Sequence, residues 1–165
     1  MQRQKRNRIY RLTGTITLVV VIALVVVGWI FYMRAQAPVR EARSEAVALA
    51  KKKTALVHPQ DFYWFNRKAT YYTVAGTDKK GRHMYVIISP KGQTLVTNAK
   101  DGINASRAQA IVKKDRQARA IKHVALGVYD KKIAWEVTYT NKNGRLAYDL
   151  LTFKNGSLIK SIQNI

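Results

Sequence analysis

The sequence contains no cysteine and few acidic residues. Without cysteine the chain forms no disulfide, and it offers no thiolate to a metal, no cysteine nucleophile and no cysteine for lipid attachment. Small secreted eukaryotic domains usually depend on disulfides, so the chain does not fit that class. Nine Asp and Glu stand against 30 Lys and Arg, which gives a net charge of +21 over 165 residues. A surplus of this size bears on binding partners and not on the fold.

The arrangement of the polar residues gives no sign of catalysis. The nine acids are scattered singly, so no carboxylate pair suggests acid–base chemistry. His58, His83 and His123 stand apart, without the spacing of a metal site. Ser157 and Lys160 match the serine-x-x-lysine motif of penicillin-binding enzymes, but that motif begins a helix, whereas a strand is predicted here. We therefore expect no enzyme activity, no metal and no cofactor.

One long apolar run lies near the N-terminus, at residues 12–33. As a helix it would be about 33 Å long, enough to span a hydrocarbon core of about 30 Å. Residues 1–11 carry five basic side chains and no acid, so the positive-inside rule predicts a cytoplasmic tail and an extracellular C-terminal part. The alternative is a cleaved signal peptide, with residues 35–37 as the cleavage site. The length of the run and the position of Pro38 just after that site favour a retained signal-anchor helix.

The part of the chain after the apolar run uses one pattern twice. Residues 72–82 align without gaps on residues 135–145, at an offset of 63. Upstream, residues 45–52 match residues 107–114 at an offset of 62. Two copies are fewer than a solenoid needs, so a tandem of small modules is the better interpretation.

Local signals predict the elements of each copy. Pro38 is a favourable first-turn residue and predicts the start of the first helix, while Ser106 and Gln109 form a capping-box pattern for the second helix. Alternating apolar and polar residues predict strands. Glycine-containing turns are predicted at residues 78–81, 91–92, 141–144 and 155–156, and return strands at 146–153 and 157–162.

These signals predict an α+β fold. We expect two modules, each a helix packed on a three-stranded antiparallel sheet. The first module, with a short linker, should occupy residues 34–99, and the second should occupy residues 100–165.

A run of aromatic residues marks the first copy. Residues 62–65 are Phe-Tyr-Trp-Phe and align with residues 125–128, so they should form the first strand of the first module. A strand places alternate residues on opposite faces, so one aromatic pair should face away from the helix of its own module. Either the second module covers that pair, or the pair belongs to a partner-binding surface. The candidate partner-binding residues are Tyr63, Trp64, Phe65, Tyr71 and Tyr72.

The charged residues allow two interpretations. Glu136 lies on the strand face opposite Trp135 and is expected to be exposed to solvent. The basic residues are spread over predicted helix ends and turns, where they either keep the surface soluble or attract anionic wall polymer or lipid headgroups. Nucleic acid would also attract them, but the predicted topology removes the chain from that compartment.

The second copy resembles a PepSY module in its alanine-rich helix, its Trp135-Glu136-Val137 strand and its glycine turns. The chain from residue 10 to residue 165 is similar to the TseB-like cell-wall elongation regulators of Gram-positive bacteria, which pair one membrane helix with two such modules. The resemblance implies a cystatin-like fold, no catalytic residues, and a role in lateral wall growth through a class B penicillin-binding transpeptidase. The first copy departs from the pattern at Thr73, where the second has Glu136.

Together, these observations predict a non-enzymatic, single-pass membrane protein. Its extracellular domain would regulate wall synthesis and cell elongation by contact with a wall synthase. The alternative function is a PepSY-type inhibitor or chaperone of an extracytoplasmic peptidase. Wall synthases in one case, and a secreted protease in the other, would be the co-purifying partners.

Overall fold

The computed structural model describes the backbone of residues 2–163 and the side chains of residues 14, 17–34 and 37–163. The chain divides into two compact units, Met1–Glu41 and Ala42–Ile165. Its elements in chain order are α1 (Gln2–Lys53), β1 (His58–Asn66), β2 (Thr70–Thr77), β3 (His83–Ile88), β4 (Thr94–Asn98), a 3-10 turn (Ala99–Asp101), α2 (Ala105–Arg116), β5 (Ala120–Tyr129), β6 (Lys132–Thr140), β7 (Leu146–Thr152) and β8 (Leu158–Ile162).

The N-terminal unit is the first part of α1. An 18-residue window of this helix has a mean hydropathy of 2.4, and none of that window is buried. Large apolar side chains such as Leu24 and Phe31 are exposed. This helix is therefore long and apolar enough to cross a membrane. The basic tail predicted at residues 1–11 lies outside the described side chains.

The helix α1 continues through Pro38, where the sequence predicts a separate helix start. Proline has no amide hydrogen to donate, and its ring crowds the preceding turn. The guanidinium of Arg40 donates a 3.0 Å hydrogen bond to the carbonyl of Met33 in that region. A side chain thus supplies an extra donor to the turn that a proline weakens, and the helix runs on to Lys53.

The second unit contains two antiparallel sheets of four strands each. Their strand orders are β1-β2-β3-β4 and β5-β6-β7-β8. The prediction of three strands per sheet is therefore wrong. In the second sheet the local signals were assigned to β6, β7 and β8, and residues 125–128, which the repeat aligns with the aromatic run, lie in β5, where Ala125, Leu126 and Gly127 are buried in succession. A strand covered on both faces lacks the alternation on which the prediction depends.

A helix packs on each sheet, as the α+β prediction requires. The C-terminal end of α1 buries Ala46 and Ala50 against Val74, Val86 and Ile88 of the first sheet. The corresponding contacts of the second sheet join Ala108 and Val112 of α2 to Trp135, Val137 and Tyr139. The Trp135 indole also donates a 2.8 Å hydrogen bond to the Ile103 carbonyl.

The N-cap of α2 is Asn104, whose side-chain oxygen accepts a 2.8 Å hydrogen bond from the Arg107 amide. The predicted capping box at Ser106 and Gln109 is therefore wrong by two residues. Asparagine is among the best N-cap residues because its side chain satisfies an amide that lacks a helical partner.

Both copies build the same hairpin turn. The Asp78 carboxylate accepts hydrogen bonds from the amides two and four residues later, and the Asn141 side-chain oxygen does the same. Each turn includes a glycine with positive φ, 74° at Gly81 and 78° at Gly144. The turns predicted at 78–81 and 141–144 are thus confirmed, and the sequence repeat is also a repeat of hydrogen bonding.

The Asp78 turn leads to a pH-dependent prediction. Hydrogen bonds from the Arg82 and Lys80 amides and the Arg82 ion pair hold the pKa of Asp78 below its ordinary value of 3.8. A lowered pKa adds stability above the ordinary value, and this stability is lost as pH falls through the folded value. We expect Asp78→Asn to keep the two amide bonds, as Asn141 does, and to lower Tm by a few degrees at neutral pH. Asp78→Ala should lower it further.

Thermal unfolding followed by circular dichroism over a pH series checks this expectation. The gap in Tm between the natural chain and Asp78→Asn should close as the solution is acidified below the folded pKa of Asp78. A gap of constant size at every pH would contradict the assigned role of the carboxylate.

Candidate interaction site

The aromatic run lies in β1, as the sequence predicts. In the pairing of β1 with β2, Trp64 lies opposite Tyr72 and Phe65 lies opposite Tyr71. Tyr63, Phe65 and Tyr71 pack with residues of the second sheet, whereas Phe62 and Tyr72 pack on the α1 side. The aromatics thus divide between the two faces of the first sheet.

The second sheet covers the aromatic pair that faces away from α1. Phe65 is fully buried against Ala125 and Leu150. The Tyr63 ring meets the Trp135 ring edge-on, with 5.3 Å between the centroids. Burial raises the pKa of Tyr63 to about 12, with a further contribution from the Asp61 charge. Packing between the sheets therefore accounts for Tyr63 and Phe65.

Gly127 in β5 makes room for Phe65. A Cβ atom at position 127 would lie 2.6 Å from both Cβ and Cδ1 of Phe65. Because Cβ is fixed to the backbone, rotation of the Phe65 ring cannot relieve this overlap. The absence of a side chain at position 127 is thus a condition for the contact between β1 and β5.

Thr73 joins the two sheets by a buried hydrogen bond. Its hydroxyl donates to the Leu126 carbonyl at 2.7 Å. Leu126 lies in β5, the end strand of the second sheet, where one side of the backbone lacks a neighbouring strand. Thr73 therefore satisfies a buried acceptor that the sheet itself leaves open.

Glu136 is buried, with 6% of its surface exposed, so the expectation that it faces solvent is wrong. Its carboxylate forms an ion pair with Arg67, which follows β1. The Arg67 guanidinium also lies 3.6 Å from the centroid of the Tyr148 ring. Strand alternation identifies the polar face but does not reveal that residues of the other copy cover it. Thr73 and Glu136 occupy equivalent positions of the repeat, and each contacts the opposite copy.

Three aromatic side chains remain partly open to solvent on the α1 side of the first sheet. They are Phe62, Trp64 and Tyr72, which we call the aromatic patch. The Phe62 and Tyr72 rings are stacked at 5.9 Å, and the Trp64 ring meets Tyr72 edge-on at 5.3 Å. The sequence prediction included Trp64 and Tyr72 and missed Phe62, although Phe62 lies two residues before Trp64 and so on the same strand face.

Sequence reasoning also missed a polar network around Asp149. Its carboxylate accepts hydrogen bonds from Arg116 at 2.7 Å, Ser161 at 2.6 Å and the Tyr139 hydroxyl at 3.3 Å. The bond to Asp149 raises the pKa of Arg116. A charged residue inside the apolar strand β7 was the available signal. Arg116 lies in α2 and Ser161 lies in β8, so their bonds to Asp149 hold both elements to the second sheet.

The two motifs weighed for chemistry lie in ordinary backbone structure. Ser157 follows a turn, where its amide donates to Thr152 Oγ1 at 3.0 Å, and Lys160 lies in β8. The segment is extended, as predicted, and a serine–lysine pair one helical turn apart is not formed. Within the described residues, no three His, Asp or Glu side chains come together as a potential metal site.

Comparison with known proteins places the chain in a family. It is 34% identical over 146 residues to a Bacillus subtilis (strain 168) protein described as "Probable cell wall elongation regulator TseB", covering 87% of this chain and 91% of that protein. The chain belongs to the TseB-like family. Residues 45–89 match the family model "Cell wall elongation regulator TseB-like domain". The solved structure of the "YpmB protein from Bacillus subtilis" superposes with a TM-score of 0.64 at 36% identity, over 73% of this chain and 95% of that one.

The TseB-like segment has a definite place in the fold. Residues 45–89 run from the C-terminal end of α1 through β3. They therefore contain the helix that covers the first sheet and all three residues of the aromatic patch. The second-sheet residues that pack on Phe65, Ala125 and Leu150, lie outside this segment.

Proposed function

We propose that this chain is a non-enzymatic, membrane-anchored regulator of cell wall elongation that acts by contact with a class B penicillin-binding transpeptidase. The observation that carries the proposal is the likeness to the Bacillus subtilis TseB protein over 87% of the chain. The alignment of 146 residues is longer than the folded unit, Ala42–Ile165, so it includes part of the N-terminal unit and supports a common arrangement of anchor and domain.

The proposed topology places residues 1–11 in the cytoplasm, residues 12–33 in the membrane and the folded unit outside. The apolar part of α1 and the basic residues before it support this orientation. We further propose that the folded unit comprises two PepSY-like, cystatin-like modules, at residues 34–99 and 100–165. Each would hold one helix and one sheet, and the duplicated hairpin turns support this division.

The hydrogen bonding of the buried polar side chains supports a protein that acts by binding a partner. In the described part of the chain, every buried side-chain nitrogen or oxygen has a hydrogen-bond partner. Glu136 and Asp149, the buried acids of the second sheet, are both engaged in ion pairs with arginine. Polar groups that hold the fold together in this way are not available as acids, bases or nucleophiles.

The aromatic patch is the surface that we propose for the transpeptidase. Trp and Tyr are enriched at the energetic centres of protein interfaces because they bury large areas with little loss of side-chain freedom. Phe62, Trp64 and Tyr72 lie on two hydrogen-bonded strands, so the surface is rigid before binding. The surplus of basic residues would in addition favour a position among anionic wall polymers and lipid headgroups.

Crosslinking in intact cells tests the proposed function. A membrane-impermeant, amine-reactive crosslinker should join the lysine-rich folded unit to a penicillin-binding transpeptidase, identified by mass spectrometry. Cells of the same strain without this protein should incorporate new wall along their sides at a changed rate. An extracytoplasmic peptidase as the only protein joined would support the alternative function, and failure of the reagent to reach any lysine after residue 42 would contradict the topology.

A further inference from the structure

The two sheets have unequal outer edges. The inner end strands β1 and β5 lie against one another, so β4 and β8 are the outer end strands of the described chain. An end strand presents unpaired amide and carbonyl groups that attract further strands, and proteins usually protect it with lysine, proline or a bulge.

The edge of β8 carries such protection. Lys160 stands in the middle of the strand, and the pairing of β7 with β8 has a register shift between Leu150 and Leu151. A charge and an irregular backbone together disfavour the addition of another strand.

The edge of β4 carries none of these features. Its sequence is Thr-Leu-Val-Thr-Asn, without charge or proline, and its pairing with β3 is unbroken from Thr94 to Asn98. At the offset of 63, Thr97 stands where β8 has Lys160. The protection present in one copy of the repeat is thus missing from the other.

The side chains of β4 are suited to contact with an added strand. Leu95 and Val96 are 46% and 44% exposed, and they lie on opposite faces of the strand. An open groove of about 590 Å³ adjoins Thr97, with Ile133 and Phe153 among its lining residues. An extended segment along β4 would therefore find apolar contacts as well as free backbone groups.

The charged residues around this edge indicate the charge of the segment that it would bind. Lys132 and Lys154 line the groove, and Asp101 is the only acid in its lining. Residues 42–165 hold 23 basic and eight acidic side chains, so a second copy of the chain would be repelled. A segment with acidic side chains would be attracted.

We propose that β4 accepts an extended, acidic segment of a partner protein as an added strand of the first sheet. Backbone hydrogen bonds would supply affinity, and the apolar floor and lysine rim of the groove would supply selectivity. This surface is separate from the aromatic patch and goes beyond the proposed contact with a transpeptidase.

Peptide binding to the full chain in detergent micelles tests this assignment. The probes are two short capped peptides, one alternating Glu with Val and one alternating Lys with Val. Nuclear magnetic resonance should show shifted amides at residues 94–98, with slowed hydrogen exchange at alternate positions, for the Glu peptide only. Leu95→Glu should weaken binding at least about tenfold. Leu158→Glu is the matched control, since Leu158 is the repeat counterpart in β8 and is 49% exposed; it should leave binding unchanged.

Thr97→Glu provides a second variant in case Leu95→Glu alters folding, and the Tm of each variant is measured alongside. Loss of binding in both β4 variants with an unchanged Tm supports the proposal. Three results would overturn it: no protection of β4 amides, equal binding of the Lys peptide, or protection that arises from pairing of two copies of the chain. Each of these outcomes leaves the proposed function untouched.

Discussion

Replacement of Phe65 by alanine should destabilise the folded unit by about 3–5 kcal/mol, the cost typical of emptying a buried aromatic site. Phe65 is fully buried where the two sheets meet, against Ala125 and Leu150. The measurement is denaturant unfolding of the full chain, followed by circular dichroism and by tryptophan fluorescence, to which the buried Trp135 contributes. Phe62→Ala is the control because Phe62 is only half-buried, and its cost should be clearly smaller.

A related prediction concerns Gly127, which contacts Phe65 from the second sheet. Gly127→Ala should cost about 1–3 kcal/mol by overpacking, because the new Cβ would overlap both Cβ and Cδ1 of Phe65. The double variant should be less destabilised than the sum of the two single variants, since the alanine at 127 would fill part of the space that Phe65 leaves. Additive costs would show that the two residues do not contact one another as described.

Replacement of Trp64 and Tyr72 by alanine should weaken partner capture by at least about 30-fold, the loss expected when an interface hot spot worth about 2 kcal/mol is removed. Both rings are partly open to solvent, and they contact one another with 5.3 Å between the ring centroids. Capture is measured by the yield of the crosslinked transpeptidase from intact cells, with Tm recorded for each variant.

The matched control for the aromatic patch lies in the second copy. Arg145 is an exposed residue of the Asn141 hairpin turn and carries no amine for the crosslinker, so Arg145→Ala should leave capture unchanged. If folded Trp64→Ala and Tyr72→Ala variants still yield the adduct at the natural level, the aromatic patch is not the binding surface. An equal loss from the Arg145 variant would instead assign capture to general surface charge.

The sequence was informative where one local rule decides the structure. Glycine in the four turns and the alternation in β6 predicted hairpins that are present, because these features depend on residues close together in the chain. The repeat offset placed the aromatic run in the first strand of its sheet because the two copies have the same order of elements. Asn104 was overlooked as the N-cap because a second acceptable capping pattern lies two residues later.

The errors concern residues whose environment comes from distant parts of the chain. Glu136 looked exposed because nothing near it in sequence indicates that Arg67 would cover it. The β5 strand lacked alternation because the first sheet buries Leu126 and Gly127 from outside the second sheet. The candidate site was affected similarly, since burial of Phe65 depends on the missing side chain of a residue 62 positions later.

The bonds made by Thr73 and Glu136 fix the order of the two copies. In a two-fold symmetric pair, equivalent residues would make the same contact twice. Here one copy offers a hydroxyl to a strand carbonyl, and the other offers a carboxylate to a guanidinium. If the two halves exchanged places, a buried carboxylate would face a carbonyl oxygen with no proton between them, and Arg67 would lose its anion. The two halves are therefore complementary to one another and are not interchangeable.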